Sequence, residues 1–211
     1  MNLLEKSTCK DSTIALVLFD FGGVLSEEGW KKGLKVIAEA NGLDVDNFLQ
    51  TAADTIYETG YILGKASESE FWSALRRKTG IKGDDASFTQ ELMSRFVLND
   101  RMIDLVKKLR LEKMTAGILS DQTDWLDKLN ARFDFFKWFD HVFNSYHLGK
   151  GKRDISLFDD IAGFLKTPPN SILFIDDDPG NVERARQKGW QAILYVTADS
   201  FRLEMDTVLR F

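Results

Sequence analysis

The chain of 211 residues is poor in the residues that build disulfides and transition-metal centres. Cys9 is its only cysteine, and His141 and His147 are its only histidines. A single cysteine excludes an intrachain disulfide and a cysteine-based zinc site, and it gives no sign of an oxidising compartment. Two histidines also exclude a metal site built from several imidazoles.

Long apolar runs and a strong net charge are missing too. The most apolar stretch, Ile14–Phe19, has six residues and ends at Asp20, whereas a membrane helix needs roughly 20. Residues 1–13 carry charges of both signs and lack the apolar region of a signal peptide. A net charge of −5 offers a polyanion little attraction. We therefore expect a cytoplasmic monomer or homodimer that binds neither membranes nor nucleic acid.

Four short apolar runs alternate with longer amphipathic stretches, which is typical of a parallel sheet covered by helices. A fifth run, HVFN at 141–144, could add another strand. The predicted strands cover 14–19, 115–119, 171–175 and 191–196, and the predicted helices between them cover 100–112, 122–132, 154–165 and 181–188.

The stretch from residue 26 to residue 97 has a different hydrophobic pattern. It contains no strand-like run but several helical patterns, at 28–40, 45–58, 69–78 and 88–96. Ser67 and Glu70 have the spacing of a capping box for the third of these. The sequence thus predicts an α/β fold: a Rossmann-like parallel-sheet core from residues 1–25 plus 98–211, with residues 26–97 inserted as an α-helical cap.

Acids and hydroxyls follow three of the predicted strands: Asp20, then Ser120 and Asp121, then 176–178, which are all Asp. Because ligands of open α/β sheets bind at the carboxyl ends of the strands, we expect these side chains to share one site. Crowded carboxylates raise one another's pKa or bind a cation, and hard oxygen ligands suit Mg²⁺. A carboxylate that touches the substrate can also act as a nucleophile, as in aspartyl-phosphate chemistry.

Four segments in order, LVLFDFGGVL, ILSD, GKGKRDISLF and LFIDDDPGNVERARQKG, resemble the motifs of the haloacid dehalogenase-like (HAD) hydrolase superfamily. The helical insert lies where the subfamily with small helical caps places its cap. The resemblance covers residues 14–196 and implies a HAD-like fold. It also implies Mg²⁺-dependent hydrolysis of a small phosphorylated metabolite through an aspartyl-phosphate.

The resemblance further implies a role for each matched residue. Asp20 would be the nucleophile, Ser120 would hold the phosphoryl group, and Lys152 would steady the charge on both. The residues expected to hold Mg²⁺ are Asp20, the carbonyl of Gly22, Asp176 and Asp177. The residues expected to contact the substrate are Phe21, Gly22, Gly23, Ser120, Asp121 and Lys152.

Two positions depart from the family pattern. Gly22 stands where active phosphatases of the family usually carry a second Asp as general acid and base, and losing such a group costs about 10²- to 10⁴-fold. The cost is smaller for acyl or aryl phosphates, whose leaving groups are stable. Arg153 stands where the family often has Pro, which leaves Lys150 as a rival to Lys152; the pattern at 154–158 favours Lys152.

Three other functions remain open: a 2-haloacid dehalogenase-type hydrolase, a phosphotransferase or mutase, and a non-catalytic phosphate-binding protein that has lost the acid at Gly22. The pair at 176–177 argues against the dehalogenase, whose relatives need no metal. His147 could supply the missing acid, although a lone histidine is more often structural. The aromatic residues of the insert could line a pocket, although packing within a helical bundle is the simpler expectation; they are Trp30, Tyr57, Tyr61 and Trp72.

Overall fold

The computed structural model describes residues 14–209, with side chains as far as Met205. Cys9 and the charged stretch 1–13 lie outside the described residues, so the expectations about them stay predictions. Within the described part, no helix combines the length and the apolar character needed to cross a bilayer.

The core is a parallel sheet whose strands are buried on both faces. Its strands are β1 (Leu16–Phe19), β2 (Thr115–Ser120), β3 (His141–Asn144), β4 (Ile172–Asp176) and β5 (Gln191–Leu194). They are arranged in the order β3-β2-β1-β4-β5, and every neighbouring pair is parallel. This confirms the four predicted strands, shows that HVFN at 141–144 does add a fifth, and confirms the predicted fold class.

The register of the sheet brings three chain segments to one edge. Phe19 of the central strand β1 pairs with Ile118 on one side and with Ile175 on the other. Asp20 therefore follows β1 at the level where β4 ends in Asp176 and one residue before the end of β2. The strand order changes direction at β1, with β2 and β3 on one side and β4 and β5 on the other, and such switch points are where open α/β sheets bind ligands.

Four helices follow β1 and pack on one another before the chain returns to the sheet. They are α1 (Gly29–Ala40), α2 (Val45–Glu58), α3 (Glu68–Thr79) and α4 (Asp85–Ser94), with a short 3-10 helix at Tyr61–Leu63. The Ser67–Glu70 capping box is confirmed at the start of α3. The predicted start of the fourth helix, residue 88, was wrong because the Asp84 carboxylate accepts the Ser87 amide and begins the helix earlier.

Six helices belong to the sheet layer. They are α5 (Asp100–Leu111), α6 (Trp125–Phe133), α7 (Ser145–Leu148), α8 (Ser156–Leu165), α9 (Pro179–Gln187) and α10 (Ala198–Leu209). α9 begins two residues before its predicted start because Asp178 caps it, accepting the Asn181 amide, and Pro179 fits the first turn. α7 and α10 were missed by the sequence analysis.

Separate apolar clusters fill the sheet layer and the inserted helices. The cluster inside the insert includes Phe71 and Trp72 of α3, and Trp125 of α6 joins it from the sheet side. Ser26 pairs through single bridges with Gly22 and with Leu98, so the chain enters and leaves the insert at adjacent points. The insert is therefore held over the carboxyl edge of the sheet.

Candidate active site

Asp20 lies at the centre of the site, directly after the middle strand. Its backbone amide donates to the carbonyl of Ile175 at 2.8 Å, so the strand pairing with β4 continues one residue further. The residue is only 8% exposed. Ser120, at the end of β2, donates a hydrogen bond to its carboxylate. The main chain thus fixes both the predicted nucleophile and the hydroxyl beside it.

Lys152 bridges the two sides of the site. Its ammonium lies 2.9 Å from Oδ1 of Asp20 and 2.6 Å from Oδ2 of Asp176, and its side chain is 2% exposed. Burial alone would lower the pKa of Lys152, but Asp176 and Asp20 outweigh it and raise that pKa. The lysine therefore stays charged between its two carboxylates.

Lys150 is placed quite differently. Its ammonium donates to the Ser156 hydroxyl and to Asp160 at 2.5 Å, on the flank of α8. It does not line the cavity described below, whereas Lys152 does. Of the two lysines that the sequence left open, only Lys152 reaches Asp20.

Asp176 is held in place by the turn that follows β4. Its Oδ1 accepts the backbone amide of Asp178 at 2.7 Å, and the Asn181 amide group donates to both of its oxygens at 3.2 and 3.1 Å. Arg184 in turn donates to the Asn181 side chain. Because every oxygen of Asp176 is engaged, its position is set before any ligand binds.

The carboxylates of the site destabilise one another's charged form. Burial and then Asp176 raise the pKa of Asp20 to about 7, against the opposing effects of Lys152 and Ser120. Burial, Asp176 and Glu28 raise the pKa of Asp177 to about 6. The single positive charge of Lys152 therefore does not fully compensate the negative charge of the three carboxylates.

The geometry of these carboxylates fits a hard divalent cation. Asp20, Asp176 and Asp177 each offer an oxygen, and the three oxygens lie within 4.8 Å of one another. Oδ1 of Asp20 is buried and lacks a hydrogen bond of good geometry, although the Lys152 ammonium is near. Gly23, at φ +76°, makes the cluster possible, since a Cβ there would lie 2.2 Å from Oδ2 of Asp177. Oxygen donors that carry excess charge suit Mg²⁺.

A cavity of about 240 Å³ opens above these residues, between the sheet edge and the insert. Asp121 lies on its wall and accepts the Lys152 backbone amide at 2.9 Å and the Tyr57 hydroxyl at 3.0 Å. The sheet edge and its loops contribute Asp20, Gly22, Ser120, Asp121, Gln122, Thr123, Trp125, Lys152, Arg153, Asp177, Asp178, Asn181 and Arg184, and the insert contributes Glu28, Trp30, Lys31, Ala53, Ile56, Tyr57 and Ile62.

Two of the expected substrate contacts do not line this cavity. Phe21 is fully buried and its ring stacks on Phe96 and Phe135, with centroids 5.9 and 5.1 Å apart. Gly23 lies behind Asp177. The side chain of Phe21 therefore packs in the core, because the residue after Asp20 points back into the sheet layer. The role of the Gly22 carbonyl as a metal ligand stays a prediction.

The insert contributes an aromatic wall that the sequence only partly revealed. Trp30 and Tyr57 line the cavity, whereas Tyr61 and Trp72 pack inside the insert. The Arg153 guanidinium lies 3.6 Å from the centre of the Tyr57 ring, a cation–π contact that the sequence did not reveal. His147 bonds Asp127 at 2.7 Å and is not among the lining residues, so it does not supply an acid here.

Known structures share this architecture. A predicted HAD-like family hydrolase from Porphyromonas gingivalis superposes with a TM-score of 0.76 at 25% identity, covering 94% of this chain and 99% of its own. A HAD family enzyme from Bacteroides thetaiotaomicron, in complex with magnesium and inorganic phosphate, gives a TM-score of 0.68 at 24% identity, with coverage of 86% and 93%. These likenesses show the fold.

Sequence comparison gives the same placement. The D-ribitol-5-phosphate phosphatase of Bacteroides thetaiotaomicron is 23% identical over 205 residues, which cover 92% of this chain and 97% of that enzyme. Two other curated relatives are longer proteins, of which the matched part spans only 29% and 39%. Residues 14–189 match the family model of haloacid dehalogenase-like hydrolases. Together with the parallel sheet and the helical insert, this match shows that the chain belongs to the haloacid dehalogenase-like hydrolase family.

Proposed function

We propose that the protein is a magnesium-dependent phosphatase that hydrolyses a small phosphorylated metabolite through an aspartyl-phosphate on Asp20. The observation that carries the proposal is the arrangement of Lys152 between Asp20 and Asp176, with Asp177 in the same carboxylate cluster. The positive charge of Lys152 would compensate the negative charge of the carboxylates and of a phosphoryl group that binds beside Asp20.

In the first step, an oxygen of Asp20 attacks phosphorus and the bond from phosphorus to the leaving oxygen breaks. Ser120 and Lys152 hold the phosphoryl oxygens during the transfer. In the second step, water attacks the phosphorus and the bond to Asp20 breaks, which releases phosphate and restores the carboxylate. The buried position of Lys152 keeps its charge fixed throughout both steps.

Asp20, Asp176 and Asp177 would hold the metal ion. When bound, Mg²⁺ would neutralise charge on the carboxylates and on the transferring phosphoryl group. The bound magnesium and phosphate of the Bacteroides thetaiotaomicron structure support magnesium as the ion and a phosphoryl group as the ligand.

The size and lining of the cavity support a small substrate. The phosphoryl group would occupy its polar base beside Asp20, and the leaving group would face Trp30 and Tyr57 of the insert. The similarity to a D-ribitol-5-phosphate phosphatase supports a phosphate monoester of this size. We further propose that residues 26–97 act as a cap that excludes bulk water from the reaction.

The carboxylate cluster also favours this function over the alternatives. A dehalogenase that acts through an aspartyl ester needs no cation. Without a cation, the repulsion among three crowded carboxylates would destabilise its site. A mutase or a binding protein would share the cluster but would not release free phosphate. The fate of the phosphoryl group therefore distinguishes a phosphatase, which releases it as free phosphate, from a mutase or a binding protein.

The test is a release assay for inorganic phosphate with aryl, acyl and polyol phosphates, with Mg²⁺ and with EDTA. We expect turnover that EDTA abolishes and that Mg²⁺ restores. In heavy-oxygen water the label should enter the released phosphate and not the carboxylate of Asp20. Label in Asp20, turnover that survives EDTA, or phosphate binding without turnover would each contradict the proposal.

A further inference from the structure

Hydrolysis of an alkyl phosphate needs a proton for its leaving oxygen, because an alkoxide is a poor leaving group. Gly22 has no side chain to give one. The question is therefore which acid of the cavity is free to serve. This inference rests on the proposed function and concerns the same site.

Most acidic side chains of the cavity already have other partners. Asp121 accepts hydrogen bonds from the Lys152 amide and from Tyr57. Asp178 caps α9 by accepting the Asn181 amide. Burial and the charge of Asp121 raise the pKa of Tyr57, whose hydroxyl is already donated.

Glu28 differs from these acids, and it does not belong to the carboxylate cluster of Asp20, Asp176 and Asp177 that would hold the metal ion. It is the residue before α1, but its side chain does not cap that helix. Among the described residues its carboxylate has no hydrogen bond, and its one ion pair is with Lys31 at 3.7 Å. The side chain is 30% exposed and lines the cavity. A carboxylate at a helix start that bonds no helix amide is free for another task.

The position of this carboxylate relative to Gly22 is informative. A Cβ built on Gly22 would lie 3.8 Å from Oε2 and 3.9 Å from Oε1 of Glu28. The Glu28 carboxylate thus lies where a side chain from position 22, two residues after Asp20, would project. It reaches this place from the insert, at the residue before α1.

We propose that Glu28 is the catalytic acid and base of this enzyme, supplied by the insert in place of a side chain at position 22. In the first step the Glu28 carboxyl gives its proton to the leaving oxygen as phosphorus bonds to Asp20. In the second step the Glu28 carboxylate takes a proton from the attacking water. The two transfers balance, so that alcohol and phosphate are the products.

The first experiment compares Glu28→Gln with Glu27→Gln, since Glu27 is 53% exposed in its side chain and pairs with Lys32. The probes are p-nitrophenyl phosphate and a panel of ribitol, glycerol and glucose phosphates. We expect Glu28→Gln to lower kcat/KM for the alkyl phosphates by about 10²- to 10⁴-fold, but for the aryl phosphate by less than about 10-fold. Glu27→Gln should change neither.

The second experiment moves the acid to the other residue. A Cβ at Gly22 would have its nearest contacts 3.8 Å away, so the backbone accepts a side chain there once the Glu28 carboxylate is removed. We therefore expect the double variant Gly22→Asp/Glu28→Ala to recover alkyl-phosphate turnover to within about 10-fold of the wild type. A merely structural role of Glu28 would not be rescued by an acid on another chain segment.

The outcomes separate this inference from the proposed function. If no phosphate is released from any probe, or if Asp20→Asn has normal activity, the proposed function fails and this inference fails with it. If Asp20 is required but Glu28→Gln hydrolyses the polyol phosphates normally, only this inference fails. A wild-type enzyme that hydrolyses the aryl phosphate but no alkyl phosphate would also overturn it.

Discussion

The two sides of the cavity differ in the chemistry of their side chains, which are mainly charged on one side and mainly apolar or aromatic on the other. The sheet side, which we term the charged floor, consists of Asp20, Ser120, Lys152, Asp176 and Asp177. The facing side presents the apolar and aromatic residues Trp30, Ala53, Ile56, Tyr57 and Ile62, which we term the cap wall, beside the charged pair of Glu28 and Lys31. The floor can bind charge but has little to distinguish leaving groups, whereas the cap wall can fit a leaving group and depends on the neighbouring Glu28 for the proposed proton transfer. Under the proposed function, the floor would set the type of reaction and the wall would select the substrate.

The largest effect on this division is expected from removing the proposed nucleophile, Asp20, from the floor. Asp20→Asn keeps the shape of the side chain but removes the attacking oxygen, so we expect phosphate release to fall by about 10⁴-fold or more. Asp160→Asn, which changes an exposed carboxylate on α8, is the matched control and should stay near wild type. An Asp20→Asn enzyme with near-normal, metal-dependent phosphate release would show that another residue is the nucleophile.

The second test concerns how the floor is stabilised. Lys152→Met leaves Asp20 and Asp176 buried without their cation, so we expect the free energy of unfolding to fall by about 3 kcal/mol. Lys150→Met removes the same charge from a partly exposed pair with Asp160, which solvent screens, and should change the free energy of unfolding little. Urea unfolding of both variants measures the difference, and equal losses would show that the buried position of Lys152 does not matter.

The third test weakens the contact between the insert and the sheet layer. Glu68 of α3 accepts hydrogen bonds from the Trp125 indole at 2.9 Å and from Lys128 at 2.8 Å, both on α6. Burial alone would raise the pKa of Glu68, but bonds from Lys128, Thr89 and Trp125 outweigh it and hold that pKa below its ordinary value. Glu68→Gln should therefore cost about 1–2 kcal/mol of unfolding free energy at neutral pH.

The sign of the pH dependence follows from that lowered pKa. A carboxylate whose pKa is lower in the folded state stabilises the protein above its unfolded-state pKa, and the gain disappears as the pH falls. The difference between wild type and Glu68→Gln should thus shrink as the pH drops below about 4. Glu58→Gln, at an exposed pair with Lys78, is the control and should show little difference at any pH.

The smallest effect is expected at the boundary between the wall and the floor. Tyr57→Phe keeps the ring under Arg153 but removes the hydroxyl that donates to Asp121. Asp121 keeps the Lys152 amide as a donor, so the substrate should lose only about 1 kcal/mol of binding free energy. This loss corresponds to about a fivefold rise in KM with little change in kcat. A fall in kcat with an unchanged KM would show that Tyr57 acts in the chemical step and not in substrate binding.

The floor was largely predictable from the sequence, and the wall was not. Asp20, Ser120 and Asp176 follow buried strands, and the meeting of strand ends at one edge is a general property of parallel sheets. Lys152 lies in a loop, so its choice over Lys150 depended on the family resemblance. Phe21 could not be placed from its sequence position, because the turn after Asp20 decides which way its ring points.

The contacts of the insert depend on how helices cross above the sheet. Nothing in the spacing of Glu28 and Gly22 shows that the start of α1 passes over the loop after β1. The stack of Arg153 on Tyr57 joins residues nearly a hundred positions apart for the same reason. The helices α7 and α10 escaped notice because one has only four residues and the other lies beyond the last strand motif.

The most direct test of the account is to trap the reaction on Asp20. The enzyme is mixed with Mg²⁺ and acetyl phosphate, quenched in acid during turnover, digested, and its peptides are weighed by mass spectrometry. We predict a phosphoryl group on the peptide that contains Asp20, lost on treatment with hydroxylamine and absent when EDTA is added first. A phosphoryl group on another residue, or turnover that leaves every peptide unmodified, would contradict the central claim that Asp20 is the nucleophile.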